Sequence, residues 1–254
     1  MLRRRQARPR LGSWTVTNAA RRQPEQQAPP VQKLQVRYAK RGRARFTSHR
    51  DFARAFERAL RRAGVPMAYS SGFNPHPRVS FANASPTGAA TEAEYLEIGL
   101  ARRVDVDAVA RALDAALPEG LDVLEVVEAA GSLAERLTAS DWRIDLPGAD
   151  EATLAAAVAA VGASDSVQVE RMTKAGLRSF DARAAMITLA VSGRCVAVTL
   201  AHGTPLVRPD DVVQALVRVG SGFAVADPPI LTRLAQGCWR EGRIVGPFEV
   251  VPGA

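Results

Sequence analysis

Cysteine is scarce: the 254 residues contain two, Cys195 and Cys238, and neither has a CxxC neighbour. That spacing supplies no disulfide framework, no zinc or iron–sulfur ligand set and no radical-cluster triad. Long apolar runs are missing too. None approaches the ~18 residues that a membrane helix needs, and the N-terminus lacks the apolar stretch of a secretory signal, so a soluble cytoplasmic protein is expected. No Walker loop, dinucleotide fingerprint or GxSxG elbow occurs, so neither cofactor nor metal is expected. Acids are also nearly absent from the first quarter of the chain. Residues 1–32 hold seven Arg and one Glu, and Lys33–Gly64 holds eleven Lys or Arg against two acids. With a chain total of +8, residues 65–254 are left with a net of −7. Positive charge gathered into one tail, one strand and one helix of an otherwise acidic chain suits a polyanion, and RNA is the leading partner.

What is present is enough for one large core or two domains of roughly 100 residues. Residues 1–32 mix Arg, Gln and Pro without apolar periodicity and read as a disordered basic tail. Its Gln and Pro content and lack of an amphipathic pattern argue against an organelle transit peptide. Leu34, Val36 and Tyr38 alternate with Gln35 and Arg37 as in a half-buried strand, which is taken to continue through the cations Arg41, Arg43 and Arg45. Ser48 can cap a helix with Asp51 three residues on, and Phe52, Phe56, Ala59 and Ala63 then share one face before Gly64 stops it. Residues 67–70, 79–82 and 94–100 read as strands, 105–117 as a helix and 121–127 as a strand. That order is a split βαβ, or ferredoxin-like, unit. The second half repeats it, with strands near 142–146 and 167–172, a hairpin across Ser192-Gly193-Arg194, helices over 149–161 and 209–219, and a last strand at 229–234. The expectation is an α+β protein of two tandem ferredoxin-like domains, 33–130 and 139–250.

Two segments carry most of the candidate chemistry. Arg43 to Asp51 and Tyr69 to Arg78 mix cations, hydroxyl and amide donors, and aromatics, a composition suited to phosphate contacts and base stacking. Between them Arg50, Arg54 and Arg58 recur every four residues and Arg61 and Arg62 continue the row, giving one cationic ridge. Phe73, Asn74, His76 and Arg78 are candidate contacts to a base or ribose. The bland alternative is that Ser48 merely caps, Phe73 packs and Asn74-Pro75 turns. His49 and His76 are the candidates for general acid–base cleavage of RNA without a metal. Glu92, Glu94 and Glu97 read as a solvated rim. Lys174 and Arg178 flank a second basic turn, which either closes over the same polyanion or is simply a charged hairpin.

The run RARFTSHRDFARAFERALRRAGVPMAYSSGFNPHPRVSFANASPTGAATEAEYLEIGL resembles the radical SAM-linked protein family, above all in Ser48-His49, Ser71–Pro77 and Glu94-Tyr95-Leu96. Lys174–Arg178 and Leu231-Thr232-Arg233 fit more loosely, and the likeness extends over roughly 33–245. The resemblance implies no established activity. It does imply an accessory or substrate-presenting role beside a radical SAM enzyme, which this chain, lacking the Cys triad, cannot itself be. It also implies an association with ribonuclease and ribosomal-protein genes.

Three functions remain open at this level. The first is a non-catalytic protein that binds tRNA or rRNA through the ridge. The second is a docking partner of a radical SAM enzyme through the same basic face. The third is a metal-independent ribonuclease or RNA-modifying enzyme using His49 and His76.

Overall fold

The computed structural model describes residues 26–174 and 176–249. Most of the expected basic tail, residues 1–25, lies outside the described residues. Its last residues are tied to the fold. Gln27 N–H donates to Ser71 Oγ at 2.9 Å and Val31 N–H to Leu100 O at 2.8 Å.

The first half runs β1 (Gln32–Lys40), α1 (His49–Arg62), β2 (Val79–Ala82), β3 (Ala90–Leu100), α2 (Val106–Ala116) and β4 (Leu121–Glu128). A short α3 (Leu133–Arg136) leads into β5 (Ala139–Asp145), α4 (Glu151–Ala163), β6 (Gln168–Thr173), β7 (Gly176–Asp181), β8 (Met186–Ser192), β9 (Cys195–Ala201), α5 (Pro209–Val219), β10 (Ile230–Arg240) and β11 (Arg243–Val245). The protein is α+β on a mostly antiparallel sheet. Strands lie in the order β4-β1-β3-β2 in the first half and β10-β5-β9-β8 in the second, the order in which a split βαβ unit sets down its strands. The second half adds the β6–β7 hairpin, a separate two-stranded sheet, between α4 and β8.

The two halves share one sheet. At its first residues β3 takes β10 alongside in parallel, Ala90 and Thr91 opposite Thr232 and Arg233, while further along the same strand Tyr95–Ile98 pair with β2. This β3–β10 seam brings residues from both ends of the sequence to one level.

Two expected strands are corrected. Arg43 and Arg45 sit in a 3-10 turn over Gly42–Phe46, and Arg41 precedes it, because the chain leaves the sheet after Lys40 and Gly42 takes φ +51°. Residues 67–70 make only isolated bridges, Met67 to Leu100 and Tyr69 to Pro77.

Packing explains the helices. Phe52, Phe56, Ala59 and Leu60 of α1 are buried against Leu34, Val36, Leu96 and Ile98. Tyr38 and Phe52 stack with centroids 4.5 Å apart and planes 4° from parallel. Each large apolar side chain so buried stabilises by about 1.5–3 kcal/mol, whereas each like-charge pair along the exposed arginine row costs only about 0.2–0.5 kcal/mol, so α1 forms in spite of its charge. In the second half Leu154, Ala157, Val158 and Val161 of α4 meet Val212, Ala215 and Leu216 of α5 over Trp142, Ile144, Val196 and Val198. The two helices close up at Gly220, where a Cβ would lie 2.5 Å from that of Ala157.

Candidate functional site

The ridge forms as its spacing predicts. Ser48 caps α1, accepting from Asp51 N–H at 3.2 Å and donating its hydroxyl to Asp51 Oδ2 at 2.7 Å. Arg50, Arg54, Arg58, Arg61 and Arg62 are all exposed. Among the described residues none of Arg50, Arg54 and Arg58 makes an ion pair, although Asp51 and Glu57 share their helix. Arg61 donates to Glu57 O at 3.3 Å and Arg62 to Ala116 O, which fastens the last turn of α1 to the end of α2.

The two candidate segments lie at opposite ends of this ridge. Arg45 O accepts from Gly88 N–H at 2.8 Å, near the start of β3, whereas Ala68 N–H donates to Gly99 O at the other end of that strand. Phe46 is 60% exposed beneath the Arg45 guanidinium, whose carbon sits 4.6 Å from the ring centre. Phe73 is 67% exposed and does not pack. An exposed aromatic ring therefore precedes and another follows a 14-residue helix, about 21 Å long at 1.5 Å per residue. The 69–78 loop is held by Ser70 N–H to His76 O, His76 N–H to Ser70 Oγ and Arg78 Nε to Tyr69 O, at 2.9, 3.0 and 3.1 Å. Those bonds leave Phe73 and Asn74 at its exposed tip, with His76 exposed at the neck.

Other candidates stand apart from the ridge. Arg41 is engaged by Glu92 and by Asp122, the latter at 2.7 Å, so its charge is answered within the protein. His49 meets Phe81 edge-on, centroids 4.7 Å apart, while His76 belongs to the loop preceding β2. No hydrogen bond or ring contact joins the two histidines among the described residues. Lys174 and Arg178 are exposed on the β6–β7 hairpin, beside Met172 and Leu177, which are 72% and 62% exposed. Arg171 anchors that hairpin by donating to Asp211 Oδ2 at 2.7 Å and Leu206 O at 3.1 Å.

The seam carries a second constellation, most of which the sequence did not single out. Glu94, expected on a solvated rim, is buried and paired with Arg233. It faces the helices with Leu96 and Ile98 because strand residues two apart share a face. Its neighbours Glu92 and Glu97 do sit at the rim, paired with Arg41 and Lys33. Arg233 also donates to Asn83 O and Gln236 Oε1, at 2.8 and 3.0 Å, and its guanidinium lies 5.5 Å from the Trp142 ring centre. Burial pushes the Lys40 amine down and the Tyr38 phenol up, Glu94 adding to the latter.

Beside this hub, His202 closes a directed chain. Its Nδ1 lies 2.7 Å from Leu137 O, which only accepts, so Nδ1 bears the proton. In the neutral ring Nε2 then accepts from Ser140 Oγ at 3.0 Å, and that oxygen accepts from Trp142 Nε1 at 2.8 Å. Burial and the nearby Arg233 charge lower the His202 pKa, holding the ring neutral. A cleft of about 370 Å³ opens over these residues between the start of α1, at His49, and the start of α5, at Arg208 and Pro209. Nothing local set Glu94 apart from Glu92 and Glu97 on β3, or Arg233 from Arg240 on β10.

The conserved bacterial family described as an uncharacterized protein conserved in bacteria, DUF2344, matches residues 33–209. The chain belongs to this family. The DUF2344 match includes the ridge, the 69–78 loop and the β6–β7 hairpin, and it ends at the first residue of α5. No curated protein matches. Among solved structures, the crystal structure of an unknown protein from Galdieria sulphuraria is similar at 18% identity over 74% of this chain and 91% of that one, with a TM-score of 0.24, a value that carries no inference. Among the described residues, no helix is long and apolar enough to cross a membrane, and no three His, Cys, Asp or Glu side chains gather as metal ligands.

Proposed function

We propose that the protein binds RNA through the outer face of α1 and does not cleave it. What supports this is the unpaired row Arg50, Arg54 and Arg58, continued by Arg61 and Arg62 and preceded by Arg43 and Arg45. Three guanidinium groups held one helical turn apart without a carboxylate partner are available to phosphates at little desolvation cost. Phe46 and Phe73 at the two ends suit bases stacked beyond the phosphate track, and Asn74, His76 and Arg78 can read or hold the nucleotide at the loop end. Arg41, already paired, is left out of the interface. The separation of His49 from His76 favours binding over hydrolysis.

The test is crosslinking of the full chain to RNA in cells, with sequencing of what is attached, beside an Arg50/Arg54/Arg58 triple-Ala variant carrying the same N-terminal tail. A defined tRNA or rRNA segment, lost in the variant, is expected. An unchanged crosslink pattern would refute the ridge.

A second reading, docking of a radical SAM enzyme, is favoured by the hairpin, where exposed Met172 and Leu177 adjoin Lys174 and Arg178. An apolar and basic tip suits an acidic protein partner. Copurification that survives ribonuclease treatment and fails with Met172→Ser/Leu177→Ser would select it over RNA.

A further inference from the structure

The seam cleft contains two polar side chains that the fold buries without satisfying. Gln236, 1% exposed, uses Oε1 to accept from Arg233 Nη1 at 3.0 Å, but its Nε2 has no partner among the described residues. Ser85, 9% exposed, has no partner for Oγ among the described residues. Both line the same cleft. A buried donor left unmet is unfavourable, and folds rarely retain one unless something else answers it. A larger groove of about 510 Å³ lies over Lys33, Glu97 and Ser132, but Lys33 and Glu97 there are paired with each other.

Charge defines what would answer them. None of the described residues that line the cleft is Asp or Glu, and Glu94 behind it is engaged by Arg233. Arg208, exposed at the entrance, makes no ion pair among the described residues. Helices α1 and α5 both begin at the rim, with Asp51 in the first turn of α1 and Asp210 and Asp211 in that of α5, so the cationic Arg208 and not the helix ends supplies the attraction for an anion. The remaining wall mixes polar residues, Asn83, Thr87, Ser140 and His202 among them, with an apolar and aromatic stretch of Trp142, Leu206, Val207 and Pro86. At about 370 Å³ the space matches a small ligand with one anionic end and one flat apolar body.

We propose that the cleft between the two halves binds a nucleoside-monophosphate-sized phosphate ester, whose oxygens accept from Gln236 Nε2, Ser85 Oγ and the Arg208 guanidinium while its ring system lies along Trp142 and Leu206. The proposal does not depend on RNA binding at α1.

The test is calorimetric titration of the full chain with the four common ribonucleoside 5′-monophosphates, with adenosine, and with inorganic phosphate. At least one monophosphate should bind more than tenfold tighter than either adenosine or phosphate. Ser85→Ala and Arg208→Ala should each weaken it about tenfold, and Ser85→Ala should leave the thermal midpoint unchanged or raised, since its hydroxyl makes no bond to lose. The Arg50/Arg54/Arg58 triple-Ala variant should bind the monophosphate within twofold of wild type, so failure of the RNA reading leaves this one standing. No monophosphate binding, or binding that neither Ser85→Ala nor Arg208→Ala weakens, would overturn it.

Discussion

Arg233 and Glu94 form a buried ion pair across the seam, Nη2 to Oε1 at 2.5 Å, each contributed by a different half of the chain. Glu94 also accepts from Ser85 N–H at 3.1 Å, and Arg233 reaches Asn83 O, so the pair fastens the β2–β3 connection to β10. Removing one partner strands a buried charge, which costs about 3–5 kcal/mol. Arg233→Met and Glu94→Leu are each expected to lower unfolding free energy in urea by that order. The double variant should fall short of the summed losses by about 1–3 kcal/mol. Strict additivity would mean that the two side chains do not act as a pair.

His202 makes stability depend on pH in a defined direction. Its ordinary pKa is 6.5, and burial together with Arg233 lowers it in the folded protein. The folded state therefore binds this proton more weakly than the unfolded chain does. The contribution is complete above about pH 6.5 and is lost as pH falls through the depressed folded value. Protonation would also put a hydrogen on Nε2, where Ser140 now donates. His202→Gln removes the titration. The stability difference between wild type and H202Q, from urea midpoints between about pH 5 and 8, should be constant at the upper end and shrink below about 6.5. A difference that stays flat across the range would show that His202 does not titrate on unfolding.

Where local signals dominate, the fold was legible. Ser48, Asp51 and the Phe52/Phe56 stripe announced α1, and Pro209 opened α5 where expected, because caps and apolar periods act within a few residues. The unpaired ridge was legible for the same reason: spacing on a helix surface follows from the helix alone. The seam was not legible. Its parallel pairing joins Thr91 to Arg233, 142 residues apart, and whether Glu94 lies in solvent or against a guanidinium is decided by that long-range pairing. Arg41 failed likewise, since Glu92 and Asp122 reach it only after β3 and β4 fall in beside β1.

Two glycines give opposite expectations. A Cβ at Gly237 would lie 1.9 Å from the carbonyl oxygen of Val245, where β11 folds back on β10. Gly237→Ala must push that hairpin open and should cost at least about 1–3 kcal/mol, the range for overpacking. Gly162, in the last turn of α4, has nothing within 4 Å of such a Cβ. Gly162→Ala should stabilise by about 0.5–1 kcal/mol through a less flexible unfolded chain and better helix propensity. Thermal unfolding of the two variants measures both signs, and similar shifts would contradict the close approach at Gly237.

The arginine ridge should show opposed effects on stability and affinity. Arg50, Arg54 and Arg58 repel one another at four-residue spacing, Arg50 adds positive charge near the positive end of α1, and none gains from an ion pair among the described residues. Replacing all three with alanine removes the repulsion and raises helix propensity. The triple variant should therefore be more stable than wild type by about 1 kcal/mol. The same variant should bind single-stranded RNA more weakly, and the slope of log affinity against log salt should fall by about 2, near 0.7 for each phosphate that is no longer neutralised. Denaturant unfolding and binding isotherms at several salt concentrations read the two quantities separately. A variant weakened in both stability and affinity would mean that the arginines hold α1 in place. A gain in stability with a reduced slope is what three cations kept for a phosphate partner require.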